Sequence, residues 1–210
     1  QTPGYTRQRP VLQALPSAVP GQAGGGVEVA DIQRLTDSLL TAQIRYHAGW
    51  LGQEQAARAT LEQVEQIFTD LAEGGLAGRL EEMFDAWGDL GLQATSVAAR
   101  EQVIQRAALV AETIAARWSG LYELRAEIDQ LVATTVAQVN RLAQQVASLN
   151  KHIAGTSDAA TRNDLLNQRD SIINQLASLC GAEVIPQAND MVDVLIGGLR
   201  LVQLDQITRL

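Results

Sequence analysis

Apolar residues between Ile104 and Ile153 recur in alternating steps of four and three, and no other pattern in the chain runs as long. A seven-residue period of this length predicts one helix whose apolar face is covered by other helices. The helix is expected to span about 96–154, with an N-cap at Ser96 and a stop at Gly155, and to be roughly 85 Å long. The predicted stripe consists of Ile104, Ala107, Ala111, Ile114, Trp118, Leu121, Arg125, Ile128, Val132, Thr135, Val139, Leu142, Val146, Leu149 and Ile153.

Three further helices are predicted around this one. They cover about 37–71, 76–90 and 163–180, with Gly181 as the last stop signal. Their predicted inward faces contain Leu40, Ile44, Leu51, Leu61 and Phe68; Leu76, Leu80, Met83, Trp87 and Leu90; and Leu165, Leu166, Ile172, Ile173, Leu176 and Leu179. A compact domain of this chain length would be only about 40 Å across. The predicted fold is therefore mainly α, an elongated antiparallel helical bundle.

Proline and glycine mark the predicted domain boundaries, because four of the five prolines lie in the first twenty residues and the fifth is Pro186. Residues 1–36 are predicted to be an extended connector with a short strand at Val27–Val29. Residues 37–181 form the helical-bundle domain. Residues 182–210 begin a β-rich region, which is incomplete here, with turns at Asn189–Asp190 and Gly197–Gly198.

Composition excludes several functional classes. The formal net charge of −8 argues against a nucleic-acid surface, since phosphate binding needs clustered basic residues. The sequence contains neither a run of eighteen apolar residues nor a signal segment, so no membrane association is expected. The chain begins at Gln1 without a methionine, and we take it to be a fragment.

Searching for reactive groups gives no candidate catalytic, cofactor or metal site. His47 and His152 lack the Glu-x-x-His spacing of metal sites in helical bundles. The acidic residues at 81–85 read as the solvated side of the second helix, and the glycines at 24–26 precede a strand rather than a helix, unlike a phosphate loop. Cys180, the single cysteine, is predicted to be a small buried residue that fills space in the core.

The better candidates for contact sites are polar positions within the apolar stripe. Arg125 and Thr135 interrupt it, and polar residues in such a seam fix the register of helices or contact a partner. The tryptophans Trp50, Trp87 and Trp118 have helical spacing and are predicted to be core residues rather than a ligand pocket.

Several segments resemble one family. TPGYTRQR at Thr2–Arg9 resembles a signature of bacterial flagellar axial proteins. Other segments occur in the order typical of the flagellar hook-associated protein 1 family: GVEVADIQRLTDSLLTAQIR at 26–45, MFDAWGDL at 83–90, AAREQVIQRA at 98–107, VASLNKHI at 146–153 and LLNQRDSIINQLASL at 165–179.

The resemblance implies a secreted structural protein of the extracellular flagellum, which joins hook to filament after type III export. It implies contacts with other copies of itself, with hook protein, with the next junction protein, and with an export chaperone through a missing C-terminal part. Both terminal polymerisation regions would be absent, so the isolated fragment is expected to be a monomer. The family motif Thr2, Pro3, Gly4, Tyr5, Arg7 and Gln8 would connect to the inner polymerisation domain.

Two other hypotheses remain open at this point. The chain could be a helical-bundle adaptor or sensor domain unrelated to flagella, or it could be an enzyme. Normal filaments in a gene deletion would favour the adaptor, and a bound metal found by elemental analysis would favour the enzyme.

Overall fold

The computed structural model describes residues 6–16, 24–68 and 75–210, and these contain four helices and six strands. The helices are α1 (Ser38–Phe68), α2 (Leu76–Leu92), α3 (Val97–Gly155) and α4 (Ala159–Cys180). The strands are β1 (Gln8–Ala14), β2 (Val27–Arg34), β3 (Glu183–Pro186), β4 (Val192–Ile196), β5 (Leu199–Gln203) and β6 (Gln206–Ile207). The prediction of a mainly α fold with one very long helix and a small β region near the C-terminus is confirmed.

Capping residues explain where α3 and α4 begin and end. The backbone amide of Ala99 donates to Oγ of Ser96 at 3.2 Å, so the predicted cap of α3 is confirmed. Helix α4 begins four residues earlier than predicted because Asp158 accepts a hydrogen bond from the amide of Thr161 at 2.8 Å. Hydrogen bonds from Thr161 also lower the pKa of Asp158. Gly181 ends α4 in the left-handed conformation, with φ of 65°, as predicted.

Within the predicted extended connector, residues 8–14 form a strand that the sequence analysis did not predict. This segment is β1, which pairs antiparallel with β2 in a two-stranded sheet, from Gln8 opposite Arg34 to Ala14 opposite Val27. Pro10 lowers the strand signal of the segment, because proline is confined to edge strands, yet both strands of a two-stranded sheet are edges. Strand β2 is also longer than the predicted Val27–Val29.

The C-terminal sheet is antiparallel in the order β3-β4-β5-β6. Both predicted turns are confirmed, since Asn189 and Asp190 each have φ of 56° and the glycine pair at 197–198 has φ of 55° and 83°. Leu204, between β5 and β6, also has φ of 56°, a conformation that is unfavourable for leucine.

The chain has two compact units, Gln1–Gln55 with Thr134–Leu210 (unit 1) and Ala56–Ala133 (unit 2). The main apolar core lies in unit 1, where the second half of the predicted α3 stripe meets α4 and the C-terminal sheet. Val146, Ile173, Leu176, Val194 and Val202 are all 0% exposed there. This half of the stripe is buried as predicted.

The prediction for the first half of the stripe is wrong, because the buried positions there lie about one residue before the predicted ones. Ile104, Ile114 and Trp118 are 62%, 52% and 71% exposed, whereas the buried residues are Ala99, Val103, Val110 and Leu124. A straight helix drifts about 20° per heptad relative to a strict seven-residue period, which is roughly 140° over seven heptads. The buried positions follow the 3.6-residue period of the helix, and the apolar positions of the sequence follow 3.5.

Candidate assembly surfaces

The β1–β2 hairpin is joined to α1 and α4 by the ion pairs of one carboxylate, which we call the tie at Asp170. Asp170 of α4 accepts hydrogen bonds from Nη2 of Arg34 on β2 at 2.6 Å and from Nη2 of Arg45 on α1 at 3.0 Å. Nδ2 of Asn163 also donates to the carbonyl oxygen of Ile32 at 2.6 Å. Both arginine side chains are 11% exposed, so Asp170 is the counter-charge that allows their burial.

Replacing Asp170 with asparagine is expected to lower the free energy of unfolding by about 2 kcal/mol, because two nearly buried guanidinium groups lose their counter-charge. Urea denaturation measures this, and amide hydrogen exchange should speed up first in β1 and β2. The control is Glu62→Gln, since the Arg58–Glu62 pair is largely exposed and its loss should cost less than about 0.5 kcal/mol. Equal effects of the two substitutions would contradict the role given to Asp170.

Helix α1 contacts α4 through glycines rather than through large apolar residues. A Cβ at Gly49 would lie 2.8 Å from Cα of Gly181, and a Cβ at Gly52 would lie 2.1 Å from the carbonyl oxygen of Ser178. The backbones of the two helices therefore approach closely, and Arg45 on the same side of α1 bonds to Asp170. These contacts fix which side of α1 faces its own chain.

The prediction that α1 buries its large apolar residues is wrong. Leu40, Ile44, Leu51, Leu61 and Phe68 are 47–65% exposed. We define the α1 face as the six large side chains on the side of unit 1 away from α4, which are 54–70% exposed: Leu39, Leu40, Ile44, Tyr46, Trp50 and Leu51. Exposed apolar patches on proteins are typical of interaction sites.

A second uncovered apolar surface lies on α3 within unit 2. We define the α3 stripe as Ile104, Ala107, Ala111, Ile114, Trp118 and Tyr122, all of which are exposed. Its first five members belong to the predicted apolar stripe, and Tyr122 takes the place of Leu121, which is half-buried. The prediction that Trp50, Trp87 and Trp118 are core residues is also wrong, since they are 61%, 62% and 71% exposed.

Replacing Trp118 with alanine is expected to change the free energy of unfolding of the isolated chain by less than about 1 kcal/mol, because most of the ring is already in water. Leu124→Ala is the control, since Leu124 is 7% exposed on another side of α3. This substitution should lower the free energy of unfolding by about 2–4 kcal/mol. Thermal unfolding compares the two variants. A loss for Trp118→Ala as large as that for Leu124→Ala would show that the ring is buried.

The two polar stripe positions lie in different units. Arg125 is exposed and lies in unit 2, whereas Thr135 is half-buried and lies in unit 1. Their role at contacts with partners remains a prediction.

The connector motif lies partly within the described residues. Thr2, Pro3, Gly4 and Tyr5 lie outside them. Arg7 is exposed and its carbonyl oxygen accepts a hydrogen bond from the amide of Leu35 at 2.9 Å, while the half-buried Gln8 opens β1. Both residues therefore lie at the base of the hairpin, next to the tie formed by Arg34.

Groups with reactive chemistry are sparse in the part of the chain that the structure describes. No group of three or more His, Cys, Asp or Glu residues there is placed to hold a metal ion. Burial raises the pKa of the Cys180 thiol to about 11, and its Sγ donates to the carbonyl oxygen of Leu176 at 3.0 Å. This thiol is therefore a poor nucleophile at neutral pH.

Among the helices of residues 6–16, 24–68 and 75–210, none has the length and apolar character needed to cross a membrane.

Sequence reasoning missed a buried polar network between α3, α4 and the C-terminal sheet. Asn150 is 0% exposed, and its Nδ2 donates to the carbonyl oxygens of Val192 and Leu204 at 2.7 and 2.6 Å. Arg169, 6% exposed, donates to Oδ1 of Asn150 at 3.0 Å and to the carbonyl oxygen of Asp190. Burial lowers the pKa of Arg169. The only sequence signal was a polar residue beside the apolar stripe, which is common on a solvated face.

Comparison with known proteins gives consistent results. A sequence model described as the flagellar hook-associated protein FlgK helical domain matches residues 61–210. Flagellar hook-associated protein 1 of Salmonella typhimurium is 32% identical over 191 residues, covering 88% of this chain and 34% of that protein. The Bacillus subtilis protein of the same name is 30% identical over 193 residues, covering 87% of this chain and 38% of the relative.

A solved structure has the same fold. The flagellar hook junction protein FlgK from Burkholderia pseudomallei matches with a TM-score of 0.69 at 24% identity, over 82% of this chain and 30% of that one. The chain spans about a third of the length of the curated relatives, at 34–38%. Because the helical-domain model covers most of the sequence, the chain belongs to the flagellar hook-associated protein FlgK helical-domain family.

Proposed function

We propose that this chain is part of an axial structural protein of the bacterial flagellum that joins hook to filament outside the cell. The observation that carries the proposal is the match of the FlgK helical domain to residues 61–210. The relatives are named as hook-associated proteins, and the similar solved structure is named as a hook junction protein. The proposed role is mechanical, and no enzymatic activity or cofactor is part of it.

The described surface supports a role in assembly. The α1 face and the α3 stripe expose large apolar side chains, as surfaces that pack against other proteins do. The proposed partners are other copies of the protein, hook protein and the next junction protein. An export chaperone would bind a part of the protein outside these residues.

We also propose that three segments of the chain have different roles. Residues 1–36 connect to an inner polymerisation domain through the motif at Thr2–Gln8. Residues 37–181 form the helical body, and 182–210 lead into β-rich structure. The tie at Asp170 supports these roles, since it would pass load from the hairpin to α1 and α4.

Gene deletion tests the proposed function. Cells without the gene are expected to build hooks but to lose attached filaments, and the full-length gene should restore them. Electron microscopy of purified hook structures is the measurement. Normal filaments on hooks in the deletion strain would contradict the proposal and favour a helical-bundle adaptor or sensor domain.

The isolated chain of residues 1–210 is expected to be a monomer in dilute solution, at low micromolar concentration, because single weak contacts between copies do not persist there. Analytical ultracentrifugation should give the mass of one chain, 22.6 kDa. A stable ring or a long polymer at this concentration would contradict the prediction.

A further inference from the structure

The α1 face and the α3 stripe are both apolar and uncharged, although the chain as a whole has a net charge of −8. Between Ser38 and Gln53 the one charged side chain is Arg45, and it is turned toward Asp170. None of the six positions of the α3 stripe is charged. These two surfaces can therefore meet without placing carboxylates of two acidic chains opposite each other.

The two surfaces also differ in relief. The α1 face consists of six large side chains, including Tyr46 and Trp50. The α3 stripe has two small residues in its first half, because Ala107 and Ala111 separate Ile104 from Ile114. Large side chains of one helix pack into the space above small residues of another, as ridges fit grooves. A contact between two copies of the α1 face would instead bring large side chains against each other.

We propose that the α1 face of one copy packs on the α3 stripe of a second copy. The contact is heterologous, since it joins two different surfaces, and such a contact can propagate along an assembly whereas a two-fold contact closes on itself. The inference rests on the proposed function, because an axial protein must bind further copies in one direction.

The size of the two surfaces agrees with a weak contact. Aromatic side chains bury about 150–250 Å² each, so the exposed parts of the four rings of Tyr46, Trp50, Trp118 and Tyr122 correspond to roughly 500 Å². With the aliphatic neighbours of these rings, the contact is at the small end of specific interfaces. Copies should thus associate at high local concentration and separate on dilution.

A mixing experiment tests this pairing. Trp50→Glu places a charge on the α1 face, and Trp118→Glu places one on the α3 stripe; both rings are more than 60% exposed, so the fold should tolerate either change. Leu199→Glu is the control, because Leu199 is 70% exposed on β5 and belongs to neither surface. Sedimentation is measured from roughly 10 μM to about 1 mM, with circular dichroism to check folding.

The wild-type chain and Leu199→Glu should show a mean mass that rises with concentration. Each tryptophan variant alone should associate at least about tenfold more weakly. An equimolar mixture of the two should recover a species of twice the monomer mass, since Trp118→Glu keeps the α1 face and Trp50→Glu keeps the α3 stripe.

Three results would overturn the pairing. A mixture that stays monomeric would show that the two surfaces do not fit each other. Association of Trp118→Glu alone at wild-type strength would show that the α1 face binds another surface. A wild-type chain that is monomeric at the highest concentration would assign both surfaces to other parts of the same protein or of the flagellum. None of these results decides the role in joining hook to filament, which the deletion strain tests separately.

Discussion

Replacing Gly52 with alanine is expected to lower the free energy of unfolding by about 2–4 kcal/mol. The new Cβ would lie 2.1 Å from the carbonyl oxygen of Ser178 and 3.2 Å from its carbonyl carbon. Both groups belong to the backbone of α4, which cannot rotate away as a flexible side chain can. Helix α1 would have to move off α4, and the nearby bond of Arg45 to Asp170 would be strained.

Intrinsic helix propensity predicts the opposite sign. Alanine in place of glycine within a helix stabilises it by about 1 kcal/mol, so the clash at Gly52 must exceed this gain. Gly88→Ala isolates the propensity, because a Cβ at Gly88 in α2 meets nothing within 4 Å and should raise stability by about 0.5–1 kcal/mol.

Urea denaturation of the two variants beside the wild type measures both changes. Opposite signs are expected for the same chemical substitution. If Gly52→Ala were as stable as the wild type, the close approach of α1 and α4 would not hold the two helices together.

The start of α3 and the end of α4 could be predicted because they depend on local chemistry. Ser96 and Gly181 act through their own hydrogen bonds and dihedral angles, and a sequence shows such residues directly. The turns at Asn189–Asp190 and Gly197–Gly198 follow for the same reason. Pairing of β1 with β2 depends on a distant segment and on a strand that contains proline, so it was not predicted.

The faces of the helices could not be predicted because they depend on neighbours. Ile44 and Leu51 are apolar and have helical spacing, which indicated an inward face, yet the glycine contacts of α1 turn them outward. Trp118 belongs to a strict seven-residue pattern, but the residues of α3 that are buried in unit 2 are Val110 and Leu124, on another side of the helix. Apolar spacing thus identified the apolar side of each helix, but it did not show whether that side packs against the same chain.

The candidate surfaces illustrate the same limit. The α3 stripe was visible in the sequence as a pattern, and its exposure came only from the structure. The tie at Asp170 joins residues that are 136 and 125 positions apart in the chain, a separation at which spacing carries no information. Family membership was accessible from the sequence through resemblance of whole segments rather than through any single residue.

The largest effect of a polar substitution is expected for Asn150→Ala, which should lower the free energy of unfolding by about 3–5 kcal/mol. The side chain of Asn150 makes four hydrogen bonds, two to carbonyl oxygens, one to the amide of Val192 and one to Arg169. Alanine would leave these buried groups without their partner, and the guanidinium of Arg169 would keep only part of its bonding.

The bonds of Asn150 and Arg169 also hold backbone in unfavourable conformations. Asp190 and Leu204 both have φ of 56°, and their carbonyl oxygens accept from Arg169 and Asn150 respectively. The amide of Leu204 donates to Oδ1 of Asp193 at 2.9 Å as well. A leucine in the left-handed region costs of order 1–2 kcal/mol, whereas aspartate tolerates this conformation, so the turn at Leu204 depends most on these partners.

Asn140→Ala is the matched control, because it removes an asparagine from the same helix whose bonds to the backbone of Leu210, at 3.1 and 3.5 Å, are exposed. It should cost less than about 1 kcal/mol. Urea denaturation gives both values, and amide exchange at Val192 and Leu204 should accelerate only in Asn150→Ala. Equal losses of unfolding free energy in the two variants would mean that burial of the Asn150 hydrogen bonds does not increase their contribution to stability. Slow amide exchange at Leu204 in Asn150→Ala would mean that the turn at Leu204 is stable without its hydrogen bond to α3.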